Sequence, residues 1–282
     1  MTRPVAQASD ILGEGPCWSA AEGRLYWFDI KGRKLHWHTP RDGDTSGVEL
    51  PMRASAAAPR AGGGLLMATE HGLAAFESRS ATVALVRAMT FPAGFRTNDG
   101  KVDPQGRFWW STMDDAGGER PGALFRTDPD LTTTQVLDGI HIANTVSVTA
   151  DGRTLLLADS KLQTIYAHDV ADLRRRRVFA RTEGAIAPDG SALDAEGFLW
   201  NAQWGGGRLV RYGPDGAVDR MIPLPVSQPT SCAFGGPDLA TLYVTSAREG
   251  LSEAELDRQP LAGSLFAFTP GVHGLLLPVF AG

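Results

Sequence analysis

Short runs of apolar or alternating residues, each introduced by a tight turn, recur along the whole chain. Segments such as Leu65–Thr69 and Arg208–Tyr212 have the length and residue types of β-strands. The turn before each run carries an acidic residue or Gly next to a marker position, and these markers recur roughly every 41 to 46 residues. The six markers are Gly23, Gly64, Gly106, Gly152, Gly197 and Leu239.

This period predicts a β-propeller, because four strands of five or six residues and their turns occupy about 40 to 45 residues. Six such units fill the chain. We therefore predict an all-β fold, a six-bladed β-propeller of four-stranded antiparallel blades around a central channel, with residues 1–282 as a single domain. Only Ser252–Gln259 opens like a helix, with Ser252 as the cap and Glu255 three positions later.

Composition narrows the range of partners. Of the 282 residues, 43% are hydrophobic, which is enough for a full core, and the net charge of −5 disfavours a nucleic-acid partner. The run Arg174–Arg177 is interpreted as a solvated turn. No apolar stretch approaches the roughly 18 residues that span a bilayer, so we expect no membrane partner and a soluble, cytoplasmic protein. The only cysteines, Cys17 and Cys232, are expected to be reduced and buried.

Polar residues share one phase of the repeat. Asn98, Asn144 and Asp189 each lie eight residues before their markers, and Glu14 lies nine before its own, in a turn that looks one residue longer. Because rotation about a propeller axis brings equal phases together, Glu14, Asn144 and Asp189 should offer three oxygen ligands to one divalent cation, with Asn98 nearby. Turn propensity is the competing explanation, and we prefer it for three other aspartates, Asp99, Asp151 and Asp194.

At these residues the chain resembles the senescence marker protein, gluconolactonase and luciferin-regenerating enzyme-like family of six-bladed propellers, over nearly its whole length. The C-terminal part resembles the bacterial sugar-lactonase branch in particular. The segments that carry the resemblance are residues 12–16 (LGEGP), 96–103 (RTNDGKVD) through Thr112-Met113, 188–190 (PDG), 204–207 (WGGG), 234–239 (FGGPDL), 247–252 (AREGLS) and 260–263 (PLAG).

The resemblance implies metal-dependent hydrolysis of a sugar-acid (aldono) lactone to the open aldonic acid. It implies that Glu14, Asn144 and Asp189 bind one divalent metal ion, which could be Ca, Mg, Mn, Zn or Fe, and that Asp189 is also the acid/base. Arg96 and Asn98 match positions that contact the substrate or the water. A cation beside Asp189 would favour its carboxylate form, which could then accept a proton from the attacking water.

Two residues depart from the family pattern. Thr145 follows Asn144 where Gly is usual, and Ser191 replaces an apolar residue after Pro-Asp-Gly. The shape of the pocket near these two residues is therefore less transferable from the family, and the sugar and its ring size stay open.

Two other functions remain possible at this stage: hydrolysis of another lactone or ester at the same metal, and a noncatalytic calcium-binding or ligand-binding propeller. The chain has no Gly-x-Ser-x-Gly, His-Glu-x-x-His or phosphate-loop motif. His71 and His141 have no assigned role, and Trp110 and Trp204 are the two tryptophans that could border the pocket. The oligomeric state stays open.

Overall fold

The computed structural model describes residues 2–276 and 278–282, and nearly all of its regular structure is β-strand. A 3-10 turn covers Ser160–Leu162, and one helix, α1, covers Glu253–Arg258. The strands are β1 Arg3–Ala6, β2 Gly13–Ser19, β3 Arg24–Asp29, β4 Lys34–Thr39, β5 Asp44–Glu49, β6 Ala54–Pro59, β7 Leu65–Thr69, β8 Gly72–Glu77, β9 Thr82–Ala88, β10 Phe95–Val102, β11 Phe108–Asp114, β12 Gly122–Thr127, β13 Thr133–Ile140, β14 Ala143–Val148, β15 Thr154–Asp159, β16 Thr164–Asp169, β17 Asp172–Arg181, β18 Ala187–Leu193, β19 Leu199–Trp204, β20 Arg208–Tyr212, β21 Val218–Pro223, β22 Pro229–Gly235, β23 Thr241–Ser246 and β24 Leu265–Phe268.

These strands form six four-stranded antiparallel sheets, which confirms the predicted six-bladed propeller. Blades 1 to 5 are consecutive: β2–β5, β6–β9, β10–β13, β14–β17 and β18–β21. Blade 6 combines β22, β23 and β24 with β1 from the other end of the chain, and Arg3 pairs with Ala267. This exchange closes the ring with hydrogen bonds. The sequence repeat did not predict it, because no marker turn precedes β1.

The first strands of the blades pack against one another around the axis, and each contains a β-bulge at the same level. A bulge inserts an extra residue, bends the strand and changes the direction of nearby side chains. Repeated in every blade, it turns a set of polar side chains toward the channel. The register shifts lie between Glu14 and Cys17, Ala54 and Ala56, Thr97 and Gly100, Asn144 and Ser147, Pro188 and Ser191, and Pro229 and Cys232.

Large apolar side chains fill the spaces between blades. Trp27, Trp109, Trp110 and Trp200 are fully buried. Trp110 stacks on Phe125 with ring centroids 4.5 Å apart, inside a core cluster between blades 2 and 3. The prediction that Trp110 could border the pocket is therefore wrong, because packing between blades buries its ring.

Other local predictions have mixed outcomes. Helix α1 begins after Ser252 with the expected capping box to Glu255. Both thiols are free, and Cys232 is buried as expected, whereas Cys17 is partly exposed to solvent and not fully buried. Loss of hydration raises the pKa of each thiol to about 12. The run Arg174–Arg177 is exposed but lies within strand β17, so its assignment to a turn is wrong. Within the described residues, no helix is both long and apolar enough to cross a membrane.

Asp194, which we expected to be an ordinary turn residue, is fully buried and anchors its blade. Its Oδ2 accepts hydrogen bonds from Trp200 Nε1 at 3.0 Å and from Arg211 Nη2 at 2.7 Å. Asp103 plays the same part in blade 3, where its Oδ2 accepts from Trp109 Nε1 at 2.7 Å. In both blades the turn between the first two strands is thus held to the core by one buried carboxylate. Asp151, in blade 4, is exposed as expected.

We predict that Asp194→Ala lowers the free energy of unfolding by about 3 kcal/mol, because it leaves the Arg211 guanidinium and the Trp200 N–H buried without this partner. Asp151→Ala is the matched control, and its exposed site should cost less than about 1 kcal/mol. Urea denaturation of both variants measures the difference. Equal losses would contradict the anchoring role of Asp194.

Candidate active site

One end of the channel opens into a cavity of about 320 Å³. All five residues singled out from the sequence line it: Glu14 on β2, Arg96 and Asn98 on β10, Asn144 on β14 and Asp189 on β18. Residues up to 175 positions apart in the chain thus meet at one place, although their roles stay predictions. The rest of the lining comes from Leu12, Met113, Asp115, Gly117, Ile142, Ser160, Ala187, Trp204 and Glu249.

The bulges place these side chains, and they do so in two ways. Glu14 and Asn144 are the last paired residues before the bulges of their strands. Asn98 and Asp189 lie inside the bulges of theirs. Relative to the bulge of its own strand, Asn144 thus lies one position earlier than Asn98 and Asp189 do, although the sequence repeat places all three at the same phase. Both kinds of position reach the cavity.

A chain of hydrogen bonds orients the amide of Asn144. Asn98 Nδ2 donates to Asn144 Oδ1 at 2.9 Å, and Asn144 Nδ2 donates to Ser160 Oγ at 2.9 Å. Arg96 Nη1 in turn donates to Asn98 Oδ1 at 2.6 Å, and Ser160 Oγ donates to the Pro188 carbonyl at 2.6 Å. The chain links blades 3, 4 and 5. The sequence repeat did not predict that Ser160 lies at this site, because Ser160 follows the second strand of its blade and not the first.

The carboxyl groups of Glu14 and Asp189 are buried and interact directly. Burial raises the pKa of both groups, and the charge of Asp99 adds to the effect. Arg96 opposes the rise for Glu14 but is already bonded to Asp115. Two adjacent buried carboxyl groups can both ionise at neutral pH only if a positive charge compensates them.

A divalent cation fits this requirement. Glu14 and Asp189 supply two carboxylates and Asn144 an amide oxygen, a set of hard oxygen donors that suits Ca, Mg or Mn and is also compatible with Zn or Fe. Within residues 2–276 and 278–282, no cluster of three or more His, Cys, Asp or Glu side chains forms a candidate metal site, so the third donor here is the amide. Three protein ligands leave room for water or substrate.

Asp99, which we assigned to a turn, lies instead in the bulge of β10 and is buried. Its Oδ1 accepts from the Gly100 N–H at 2.8 Å, and its Oδ2 accepts from the Val146 N–H at 3.0 Å. The carboxylate therefore satisfies two backbone donors and joins blades 3 and 4. The assignment to a turn is wrong because Asp-Gly here stands at a bulge.

The two departures from the family pattern are bonded to each other beneath the cavity. Thr145 Oγ1 and Ser191 Oγ lie 2.9 Å apart, and the Thr145 hydroxyl also donates to the Asp189 carbonyl. Asn201 Nδ2 donates to both hydroxyl oxygens. Thr145 has a φ of 60°, which is strained for a β-branched residue. Neither Thr145 nor Ser191 lines the cavity, so the pair acts on the backbone that carries Asp189 and Asn144.

Three other residues singled out from the sequence lie at different distances from the cavity: Trp204, His71 and His141. Trp204, at the end of β19, is half-buried and lines the cavity. His71 is exposed on the turn between β7 and β8 and does not line it. The His141 ring bonds through Nδ1 to the Gly118 carbonyl at 2.8 Å, beside the rim. Only Trp204 is in position to contact a molecule in the cavity.

Comparisons with known proteins identify relatives of the whole chain. A family model described as the SMP-30/gluconolactonase/LRE-like region matches residues 12–248. The chain is 36% identical to 6-deoxy-6-sulfogluconolactonase of Pseudomonas putida, over 99% of this chain and 98% of that protein. It is 37% identical to L-arabinolactonase of Azospirillum brasilense, over 99% and 95%. The crystal structure of regucalcin from Agrobacterium tumefaciens, titled a calcium-binding protein, superposes with a TM-score of 0.93 at 31% identity, over 99% and 97%.

We predict that Thr145→Val lowers the free energy of unfolding by about 2 kcal/mol, because valine keeps the branched shape but removes the hydroxyl that bonds Asp189 and Ser191. Thr145→Ser keeps the hydroxyl and should change stability by less than about 1 kcal/mol. Chemical denaturation of the two variants is the measurement. A serine variant as unstable as the valine variant would show that the hydroxyl does not matter.

Proposed function

The chain belongs to the SMP-30/gluconolactonase/LRE-like family, and we propose that it hydrolyses a sugar-acid (aldono) lactone to the open aldonic acid in the cavity described above. The observation that carries the proposal is the meeting of Glu14, Asn144 and Asp189, from three blades, beside Arg96 and Asn98. The bacterial relatives reported above are named as sugar lactonases, which supports this class of substrate.

Glu14, Asn144 and Asp189 would hold one divalent cation. When bound, such an ion supplies polarisation of the lactone carbonyl, a lower pKa for water and compensation of the negative charge that develops on oxygen. Its charge would also keep the two buried carboxyl groups ionised. The family resemblance and the oxygen donors support the metal, and they leave Ca, Mg, Mn, Zn and Fe as candidates.

Asp189 is the proposed general base. Its carboxylate would accept a proton from the water whose oxygen bonds to the carbonyl carbon. The bond from that carbon to the ring oxygen then breaks, and Asp189 would return the proton to the ring oxygen as it becomes a hydroxyl. The position of Asp189 supports this role, because its carboxyl group lines the cavity beside Glu14 and Asn144, where a water held by the same site would be within reach.

Arg96 and Asn98 have different proposed roles, because they differ in which of their polar atoms are already hydrogen-bonded. Arg96 uses Nε and Nη1 in hydrogen bonds to Asp115, Thr97 and Asn98, and its Nη2 has no hydrogen-bond partner among the described residues. We propose that Nη2 binds a sugar hydroxyl or the developing oxyanion. The side-chain amide nitrogen of Asn98 already donates hydrogen bonds to the Ala143 carbonyl and to Asn144 Oδ1. Its main role is therefore to orient Asn144, and only its Oδ1 can still accept a bond.

The apolar part of the lining suits a sugar ring. Leu12, Met113, Ile142 and Trp204 form walls beside the polar group of ligands. An apolar pocket with a few convergent polar groups is typical of small-molecule sites, and an indole can cover the less polar face of a sugar. We propose that Trp204 packs against the ring of the bound lactone.

Two alternatives use the same residues. The first is hydrolysis of another lactone or ester, for which the apolar walls would provide the binding surface. The second is a noncatalytic calcium-binding propeller, and the structure titled a calcium-binding protein, with its TM-score of 0.93, favours that reading over other binding functions. A measurement of turnover distinguishes the second alternative from the main proposal.

We predict that protein treated with a chelator loses lactonase activity and regains it on addition of one of Ca, Mg, Mn, Zn or Fe. A pH-stat assay with glucono-, xylono-, arabinono- and galactonolactone measures the rate above spontaneous ring opening. Protein boiled before the assay is the control. If calorimetry shows calcium binding and no lactone opens faster than in buffer, the calcium-binding module replaces the enzyme.

We predict that Asp189→Asn lowers kcat by about 10²- to 10⁴-fold, because it removes the proton acceptor while keeping an oxygen at the site. Ser160→Ala is the matched control: it leaves the Asp189 carboxyl group in place, removes the hydrogen bonds of Ser160 to Asn144 and to the Pro188 carbonyl, and should weaken metal affinity by about tenfold with a smaller effect on kcat at saturating metal. An Asp189→Asn variant with full turnover and intact metal binding would exclude Asp189 as the base.

A further inference from the structure

Asp115, at the rim of the cavity, binds three cationic side chains from three blades. It lies in the turn after β11. Its Oδ1 accepts from Lys31 Nζ and from Arg96 Nε, both at 2.7 Å, and its Oδ2 accepts from Arg53 Nη1 at 2.8 Å. Lys31 lies in the turn between β3 and β4 of blade 1, Arg53 directly precedes β6 of blade 2, and Arg96 is on β10 of blade 3.

The carboxylate is firmly ionised. Burial by itself would raise the pKa of Asp115, but the hydrogen bonds from Lys31, Arg96 and Arg53 together hold that pKa well below its usual range. The side chain keeps about a quarter of its exposure, so solvent screens the ion pairs in part. Asp115 therefore acts as a charged acceptor at every pH at which the protein is expected to work.

Arg96 is held on two sides as a result. Asp115 binds its Nε, while Asn98 Oδ1 and the Thr97 carbonyl bind its Nη1 at 2.6 and 2.9 Å. These bonds fix the plane of the guanidinium group. Only Nη2 has no hydrogen-bond partner within the described residues, and Arg96 lines the cavity. A planar group bound at two of its nitrogens can present the third in one direction only.

We propose that Asp115 is a positioning residue: it holds Arg96 in the orientation in which Nη2 meets the substrate, and it thereby strengthens substrate binding through another side chain. This inference rests on the proposed function, because it assumes that Arg96 contacts the lactone. The contacts carry it, since Asp115 binds Nε of Arg96 directly while Asn98 binds a different nitrogen, Nη1.

A purely structural role for Asp115 makes a different prediction, and the chain offers a matched control. Glu70 belongs to the same network, because its two carboxylate oxygens accept from the Arg53 backbone N–H and from Arg53 Nε, each at 2.8 Å. Glu70 has no bond to Arg96. Asp115→Asn and Glu70→Gln each remove one negative charge from the network, but only the first loosens Arg96.

The first experiment compares steady-state kinetics on glucono-1,5-lactone. We expect Asp115→Asn to raise KM by about tenfold with a smaller change in kcat, because a charge-assisted bond to Arg96 is lost. The KM of the Glu70→Gln variant should stay within about twofold of the KM of the wild-type protein. In an Arg96→Ala background, Asp115→Asn should have no further effect on KM. Equal KM values for the Asp115 and Glu70 variants, or an undiminished effect without Arg96, would overturn the proposal.

A second experiment does not depend on turnover. Phenylglyoxal modifies exposed arginine side chains, and peptide mass spectrometry reports the rate at Arg96 itself. We expect Asp115→Asn to speed modification of Arg96 several-fold and Glu70→Gln to leave it unchanged, with thermal unfolding showing that both variants are folded. If the unchanged protein opens no lactone but the labelling rates differ as expected, the proposed function fails and the role of Asp115 stands. Unchanged labelling of Arg96 contradicts that role.

Discussion

The β-bulge in the first strand of every blade is the constraint on which the rest of the structure depends. Each bulge interrupts the regular ladder and frees backbone groups near the axis, and buried backbone groups need partners. Side chains of neighbouring blades supply some of them: Asp99 Oδ2 accepts from the Val146 N–H, and the Thr145 hydroxyl donates to the Asp189 carbonyl. These bonds therefore also join the blades. Thr230, in the bulge of blade 6, donates its hydroxyl to the Gly13 carbonyl and so links blade 6 to blade 1.

Three acidic side chains are buried near the channel axis: Glu14, Asp99 and Asp189. Burial works against the ionised form of a carboxyl group. Asp99 is compensated by two backbone N–H groups, whereas Glu14 and Asp189 mainly face each other. The protein thus keeps two carboxyl groups in an arrangement that stability alone would not favour. A bound cation would stabilise the folded state, by an amount that rises with the logarithm of its affinity, because the ligands meet only after folding.

The sequence predicts the fold and the residues that line the cavity far better than it predicts the contacts between those residues. The repeat period translates directly into rotation about an axis, so six markers predict six blades, and a shared phase brings Glu14, Asn144 and Asp189 to one cavity. Their roles stay predictions. Contacts that cross between blades have no periodic signal: Ser160 and Asp115 follow second strands, and β1 reaches its sheet from the other end of the chain. The sequence marks Thr145 and Ser191 as departures from the family pattern but does not show that their hydroxyls lie within hydrogen-bond distance of each other and that Thr145 also bonds to the Asp189 carbonyl, because sequence proximity to a ligand does not reveal on which side of the backbone a hydroxyl lies.

The same distinction separates the two kinds of residue that line the cavity. The candidate ligands, together with Arg96 and Asn98, lie on first strands, which the bulges and the packing around the axis hold in place. Asp115, Gly117, Ile142 and Glu249 come from turns and connections at the rim, whose sequences differ from blade to blade. Loops tolerate substitution better than packed strands do, because fewer buried contacts depend on them. In the proposed lactonase, a change at the rim would therefore alter which ring is bound while the ligand geometry stays fixed. Asp115 is the exception among these rim residues, since one of its three ion pairs is with Arg96 on a first strand, and the other two are with Lys31 and Arg53. The ion pair between Asp115 and Arg96 connects the rim to the first strands, and in our proposal substrate binding depends on how firmly it holds Arg96.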